Sequence, residues 1–236
     1  MNSWLLPIML IYLILLIVLT KGQIQSLEIR PEVMDGLIKN IDELILDGDQ
    51  GPEIRKLIRG AFHDCTQGCD GRLGLEKTGN RGLEKLAKQM NDIYFETPIF
   101  RDTLSRADFW VLCERRALAK AIKTGAARSG YFPTLSPNFP VHNYGRPNIT
   151  GPSTEDDNEG PFPEGLDNWP KVLSVFQEGT KNMISEAELV ALLGTHNIGS
   201  AVQTNSGFSG PWGTAPDRNS LNNGLYTFLM GIRRST

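Results

Sequence analysis

Apolar residues recur at helical spacing along most of the chain. Behind Pro31 they repeat every three or four positions, which predicts an amphipathic helix with the proline in its first turn. The same spacing predicts a second helix that Pro52 opens, a third from about Asn80, and a fourth from Thr103 through Lys123. No segment alternates apolar and polar residues convincingly, so we expect an all-α fold.

The helical pattern is interrupted once, by a proline-rich connection at about residues 131–168. Helical spacing returns near Trp169, and Ser185 with Glu188 has the spacing of a capping box ahead of a further helix. We therefore expect two helical lobes on either side of the connection. Their expected ranges are about 23–130 and about 169–236.

The N-terminal segment has a different pattern from the rest of the chain. The first 20 residues carry no charge, and residues 4–19 form an almost unbroken apolar run that ends just before Lys21. Such a run predicts a signal peptide at residues 1–22, ahead of a folded domain at 23–236. We expect a secreted protein. The alternative is membrane anchoring by residues 4–20, since the run is close to the length that spans a bilayer.

Composition excludes several classes of protein. The 236 residues contain 24 Lys+Arg and 27 Asp+Glu, and the net charge of -3 excludes the basic footprint of a nucleic-acid-binding protein. A charged fraction of 22% argues against wholesale disorder, and 3 Cys are too few for a dense disulfide scaffold. An ordinary globular protein remains, with no nucleic acid expected among its partners.

The first candidate for chemistry is the segment 58–73, with the sequence IRGAFHDCTQGCDGRL. Arg59 and His63 are four residues apart, so a helix places both side chains on one face. A fixed cation then lies beside a titratable base. A lone histidine is more often a structural residue, but here the residues that follow it add further candidate ligands.

The loop after His63 allows two kinds of metal site. Its carboxylates and glycine-permitted turns predict a candidate calcium site with ligands from Asp64, Gly68 and Asp70. A small disulfide between Cys65 and Cys69 is compatible with export. The competing interpretation is a zinc site from His63 and both cysteines, which needs reduced thiols and a fourth ligand.

The second candidate segment is 189–201, with the sequence LVALLGTHNIGSA. His196 follows an apolar helix, and Gly194 and Gly199 lie on either side of it. Glycines at these positions let a flat, bulky group approach the backbone closely. His196 is therefore a candidate ligand for iron.

These segments occur together with two others, NRGL from Asn80 and SGFSGPWG, in which Trp212 lies 16 residues after His196. The set resembles the haem peroxidases of the plant, fungal and bacterial type. It is closest to the branch of ascorbate and cytochrome c peroxidases. The resemblance extends over residues ~50 to 226, and four ordered motifs are more specific than any one of them alone.

The resemblance implies a fold, a reaction and roles for the site residues. The two lobes would sandwich haem b, and the protein would reduce hydrogen peroxide with electrons from a small donor, in response to oxidative stress. His196 would bind the iron and His63 would act as general base. Arg59 would stabilise the departing oxygen, and Asn80 would support the His63 ring. Phe62 would shield the distal face, and Trp212 would be a radical site or a core aromatic.

The sequence departs from the family at three places. Arg72 stands in the calcium loop, and Asn205 stands where the ascorbate branch has an arginine for its donor, so ascorbate specificity is not supported. In the family the histidine that binds the iron donates its ring hydrogen to an Asp beyond the segment that here reads LNNGLY, whereas this chain ends at Thr236. We expect a peroxidase fold that lacks its C-terminal helices. A haem-binding pseudoperoxidase with little turnover and a non-catalytic secreted helical module are the alternatives.

Overall fold

A computed structural model describes residues 29–46, 51–65, 70–75, 78–129, 144–146, 163, 167–179, 184–212 and 224–234. This part of the chain is dominated by helices, which confirms the expected all-α class. The apolar N-terminal run, the calcium-loop residue Gly68 and the Cys69 half of the expected disulfide lie outside it. None of the helices it contains is both long enough and apolar enough to cross a bilayer. The boundaries of the two lobes stay a prediction.

The first group of helices surrounds a continuous apolar core. Its members are α1 (Pro31–Leu44), α2 (Gly51–Cys65), α3 (Glu84–Glu96), α4 (Pro98–Arg101) and α5 (Arg106–Ser129). Pro31 lies in the first turn of α1, as its sequence predicts. The core side chains that are most deeply buried come from all of these helices and include Leu37, Ile41, Leu57, Met90, Phe100 and Phe109.

Close packing of α2 on α5 positions the site. Gly60 faces the ring of Trp110, and a Cβ atom at Gly60 would lie 2.9 Å from Trp110 Cζ3. Only a residue without a side chain allows this approach. Because α2 is fixed against α5 at Gly60, the neighbouring side chains of Arg59 and His63 emerge at a defined edge of the core.

The connection between the two groups of helices is attached to α5 where the structure describes it. Asp108 is fully buried, accepts a hydrogen bond from the Gly145 amide at 2.6 Å, and pairs with Arg146 Nη1 at 2.8 Å. Tyr144 is also buried, and its hydroxyl contacts Met34 Sδ. An unpaired carboxylate would be costly at this depth, so the ion pair fixes these three residues of the connection.

The second group of elements carries His196. It consists of α6 (Trp169–Gly179), α7 (Glu186–Leu193), a 3₁₀ turn (Gly194–Asn197), β1 (Ser200–Ala201), α8 (Gln203–Ser206), β2 (Gly210–Pro211) and α9 (Gly224–Arg234). The two strands pair antiparallel, with Ser200 opposite Pro211. The 3₁₀ turn packs between α7 and α9.

Several details differ from the sequence-based expectations, among them the short helices α4 and α8, which were not predicted. The helix expected from about Asn80 begins at Glu84, because Thr78–Asn80 forms a separate 3₁₀ turn and Gly82 takes a positive φ of 85°. The short pair β1 and β2 was not predicted, since two residues are too few to show an alternating pattern. Helix α9 was not predicted either.

Candidate active site

His63 is held by Asn80 across the space between α2 and the first 3₁₀ turn. His63 Nδ1 lies 2.7 Å from Asn80 Oδ1. The fully buried Asn80 in turn donates from Nδ2 to the Gly74 carbonyl oxygen at 2.8 Å, which fixes the orientation of its amide. An amide oxygen only accepts, so Nδ1 of His63 carries the ring proton. The nitrogen that can accept a proton is therefore Nε2.

The surroundings keep the His63 ring neutral. Burial lowers the pKa of His63 to about 4, with Arg59 and His196 lowering it further and the bond to Asn80 acting in the opposite direction. A pKa this low leaves the imidazole unprotonated at neutral pH. The ring is therefore available as a base, and His196 lies near enough to affect it electrostatically.

Arg59 lies one helical turn before His63 and is anchored to the loop that carries Asn80. It donates from Nη1 to the Arg81 carbonyl oxygen at 3.1 Å and from Nη2 to the Gly79 carbonyl oxygen at 2.6 Å. Burial lowers the pKa of Arg59, but a guanidinium keeps its charge in proteins. These bonds use two of its five N–H donors. A fixed positive charge thus lies beside the neutral base.

Phe62 lies next to His63 and links the two groups of helices. Its ring centre is 5.8 Å from the His63 ring in an edge-on arrangement and 5.9 Å from the ring of Phe176 on α6. Phe176 is buried. The aromatic pair therefore bounds the space around His63 on the side of α6.

His196 lies in the 3₁₀ turn that follows α7. Its Nδ1 lies 3.1 Å from the Leu193 carbonyl oxygen, which accepts the ring hydrogen. In the part of the chain that is described, no hydrogen bond engages Nε2, and the side chain is exposed. Desolvation by the surrounding protein and the charge of Arg59 both lower the pKa of His196. Trp212 lies edge-on to the ring, with 5.5 Å between the ring centres.

The candidate calcium loop is only partly described. Asp64 is fully buried, and its two oxygens accept the amides of Gly71 at 3.2 Å and Arg72 at 2.9 Å. Asp70 accepts the Arg72 amide as well, at 2.9 Å. Burial and the nearby Asp70 raise the pKa of Asp64 to about 7. Among the described residues, no group of three or more His, Cys, Asp or Glu side chains is arranged to hold a metal.

Comparison with known proteins identifies the family. The peroxidase family model matches residues 33–225, which is most of the chain. This chain belongs to the peroxidase family. It is also similar to the mitochondrial cytochrome c peroxidase of Candida albicans (strain SC5314 / ATCC MYA-2876), with 49% identity over 47 residues. That stretch covers 20% of this chain and 12% of the relative.

Membership of the peroxidase family implies haem, and the donor set of this chain fits it. An imidazole binds haem iron through an unprotonated nitrogen that is accessible, and His196 Nε2 meets both conditions. His63 is a neutral base in the structure, and Arg59 is a fixed cation beside it. The sequence-predicted residues Arg59, Phe62, His63 and Asn80 form one cluster, and His196 with Trp212 forms a second.

Two further residues of this peroxidase-family chain contact the site: Tyr226, which the sequence did not indicate, and Asn205, for which the sequence did not indicate this contact. Tyr226 on α9 donates its hydroxyl hydrogen to the Val190 carbonyl oxygen and packs on Gly194 beside His196. Asn205 packs its side-chain amide directly on Gly82, next to Asn80. The glycine in NRGL was a usable signal for a close approach, whereas a single tyrosine on an amphipathic helix gives no signal.

Proposed function

We propose that the protein is a haem peroxidase that reduces hydrogen peroxide with electrons from a small donor. The observation that carries the proposal is the geometry of two imidazoles, His63 beside the anchored cation Arg59 and His196 in the turn after α7. Each ring has its Nδ1 engaged by an oxygen acceptor, which directs its chemistry to Nε2. Family membership supports the same class of reaction.

In this proposal each residue has a separate task. His196 Nε2 would bind the iron of haem b, which supplies the centre at which peroxide is reduced. His63 Nε2 takes a proton from the incoming peroxide and returns it to the departing oxygen, which leaves as water. Arg59 stabilises the negative charge that develops on that oxygen. Asn80 keeps His63 in the tautomer that can accept the proton, and Phe62 shields the space.

The reducing substrate would deliver its electrons near Trp212. Trp212 lies beside His196 and exposes 40% of its surface, so we assign it as the relay through which donor electrons enter. We propose a small reductant, secretion of the protein, and a role in oxidative stress. Calcium in the loop with Asp64, Gly68 and Asp70 is a further proposal, which the buried carboxylate of Asp64 supports.

A haem-binding protein with little turnover is the second candidate. The contact that favours it is the one between His196 and the Leu193 carbonyl, because an uncharged acceptor makes the ring a weaker electron donor to iron than a carboxylate would.

The experiment is a haem titration of the full chain, kept in solution with mild detergent, followed by rapid mixing with hydrogen peroxide. We expect a ferric haem absorption band that His196→Ala abolishes. We expect His63→Gln to retain the band and to slow the reaction with peroxide about 10²- to 10⁴-fold, the usual contribution of a general base. Haem uptake with equal, slow reaction of wild type and His63→Gln would favour the second candidate, and no uptake would overturn both.

A further inference from the structure

One short turn, at residues 79–82, contacts both Arg59 and His63. Its two carbonyl groups on either side of Asn80 accept hydrogen bonds from the guanidinium of Arg59, at 2.6 and 3.1 Å. The side chain of Asn80 contacts the His63 ring at 2.7 Å. Consecutive residues are joined by planar peptide units, so these three groups cannot shift independently. A displacement of the turn would therefore disturb the cation and the base together.

Glu84, the first residue of α3, holds the end of this turn. Its carboxylate accepts the Gly82 amide with both oxygens, at 3.0 and 2.9 Å. Gly82 has a φ of 85°, which continues neither the 3₁₀ turn before it nor the helix after it, so a side chain supplies the acceptor for its amide. Hydrogen bonds from the amides of Glu84 itself and of Gly82 lower the pKa of Glu84, which keeps the carboxylate ionised at neutral pH.

Asn205 contacts the same glycine from the second group of helices. Its side-chain amide occupies the position where a Cβ atom of Gly82 would lie. Gly82 is therefore held at its amide by Glu84 and at its α-carbon by Asn205. Glu84 also acts on Arg59 through its charge, because burial lowers the pKa of Arg59 and the carboxylate acts in the opposite direction. The effect of Glu84 through the turn and its effect through charge can be separated by substitution.

We propose that Glu84 is a positioning residue of the site, which fixes the turn at residues 79–82 through Gly82 and thereby sets Arg59 and His63 together. Asn205 supports the same point from the opposite side. The inference rests on the proposed function for its chemistry but not for its geometry. Reduction of peroxide needs the proton acceptor and the cation in a fixed relation to each other, and one shared support provides that relation.

The direct test uses the full chain without haem, kept in solution with mild detergent. Nuclear magnetic resonance of ¹⁵N-labelled arginine and histidine side chains follows the two groups separately, and Arg59→Lys and His63→Gln identify their signals. In wild type we expect separate Nη1 and Nη2 signals for Arg59, because two fixed acceptors slow the rotation of its guanidinium, and a proton on Nδ1 of His63.

In Glu84→Ala we expect one averaged Nη signal for Arg59 and a mixture of His63 tautomers. A shared support requires that both signals change together. A change in only one of the two groups, or in neither, would overturn the proposal, as would the absence of the separate Nη signals from wild type.

Two further variants separate the turn from the charge and from general destabilisation. Glu84→Gln keeps an oxygen acceptor for the Gly82 amide and removes the charge, so we expect the signals of wild type. Glu188→Ala removes a carboxylate with the same task at another helix, since Glu188 accepts the Ser185 amide at 2.9 Å at the start of α7. We expect it to leave both site signals unchanged. Equal effects of Glu84→Gln and Glu84→Ala, or loss of both signals in Glu188→Ala, would overturn the proposal.

Asn205→Ala is an independent variant, because it removes the contact on the other side of Gly82. We expect the same two signals to change as in Glu84→Ala, to a smaller extent. Unchanged signals in Asn205→Ala would show that Asn205 does not support the turn.

In the haem-loaded protein, Glu84→Ala should keep the ferric haem absorption band and slow the reaction with peroxide about tenfold, at the lower end of the usual cost of losing a residue that orients a functional group. Glu84→Gln should restore the rate. If wild type binds no haem or does not react with peroxide, while the Arg59 and His63 signals are as expected, the proposed function fails and the positioning by Glu84 stands.

Discussion

The two histidines of the site are made different by the oxygen that each one contacts. Asn80 contacts His63 through its side chain, so the contact can be removed by substitution, and the resemblance to the peroxidase family implied it. The Leu193 carbonyl belongs to the main chain, and no residue type signals it. The resemblance therefore named Asn80 as a partner for His63, whereas no feature of the sequence pointed to the Leu193 carbonyl as a contact of His196.

We expect Asn80→Ala to slow the reaction with peroxide about 10- to 100-fold, the usual cost of losing a group that orients a functional histidine. The His63 ring would lose the acceptor at 2.7 Å that fixes its tautomer. Stopped-flow absorbance of the haem-loaded protein measures the rate. Asn40→Ala is the control, since it removes a similar amide that contacts the Gly36 carbonyl on α1. Equal rates in the two variants would contradict the expected role of Asn80.

His63 and Asp64 are neighbours with opposite effects on the pH dependence of stability. The pKa of His63 falls from 6.5 to about 4, so between these values the unfolded chain binds more protons and folding becomes more favourable as pH rises. The pKa of Asp64 rises from 3.8 to about 7, so between these values folding becomes less favourable as pH rises. In the window from about pH 4 to 6.5 the two contributions oppose each other.

Urea unfolding of the haem-free protein across that window separates the two groups. We expect the stability of wild type relative to His63→Gln to increase from pH 4 to 6.5 by about 2 to 3 kcal/mol. Relative to Asp64→Asn, the stability of wild type should decrease over the same interval. If the stability differences between wild type and the two variants do not change with pH, then His63 and Asp64 each have the same pKa in the folded and the unfolded chain.

At the scale of elements, helices were predictable where capping residues accompany the apolar pattern. The box of Ser185 and Glu188 forms at the start of α7, with the Ser185 amide donating to Glu188 at 2.9 Å and the Glu188 amide donating to Ser185 Oγ at 3.3 Å. The third helix was placed too early because Gly82 interrupts it. Helix α9 begins at Gly224 and contains Gly231, and glycine weakens a helical signal, while the two-residue strands lacked length.

Ser185→Ala is expected to lower the free energy of unfolding by about 1 kcal/mol, because one helix N-cap is lost. Urea unfolding monitored by circular dichroism measures the change. Ser174→Ala is the matched control, since the hydroxyl of Ser174 contacts only the carbonyl of Lys171 within the described part of α6. If Ser185→Ala lowers the free energy of unfolding no more than Ser174→Ala does, α7 is stabilised by its tertiary contacts alone.

At the scale of the whole molecule, the two groups of helices meet at Gly82 and Asn205. Gly82 has a φ of 85°, and the side-chain amide of Asn205 occupies the position where a Cβ atom would lie. This contact adjoins Asn80, so it links the segment after His196 to the support of His63. Such long-range contacts depend on how helices pack, and the pattern of a single segment does not contain that information.

We expect Gly82→Ala to destabilise the protein by more than Gly207→Ala. Gly207 also has a positive φ, of 77°, but nothing lies within 4 Å of its Cβ position, so its substitution measures backbone strain alone, about 1 kcal/mol. The excess at Gly82 comes from the collision with Asn205. In urea unfolding, adding Asn205→Ala should remove this excess. If Asn205→Ala does not reduce the loss of unfolding free energy that Gly82→Ala causes, the contact between Gly82 and Asn205 is contradicted.

The charge of Arg59 also affects which small molecules are attracted to the surroundings of the two histidines. It lowers the pKa of both rings, so its field extends over the whole site. Small anions such as azide or fluoride are drawn into such a field, and dissolved salt screens that attraction. Hydrogen peroxide is uncharged and experiences almost none of it. Raising the ionic strength should therefore weaken inhibition by anions while leaving the rate with peroxide almost unchanged, so that dissolved salt favours the uncharged molecule over its charged competitors.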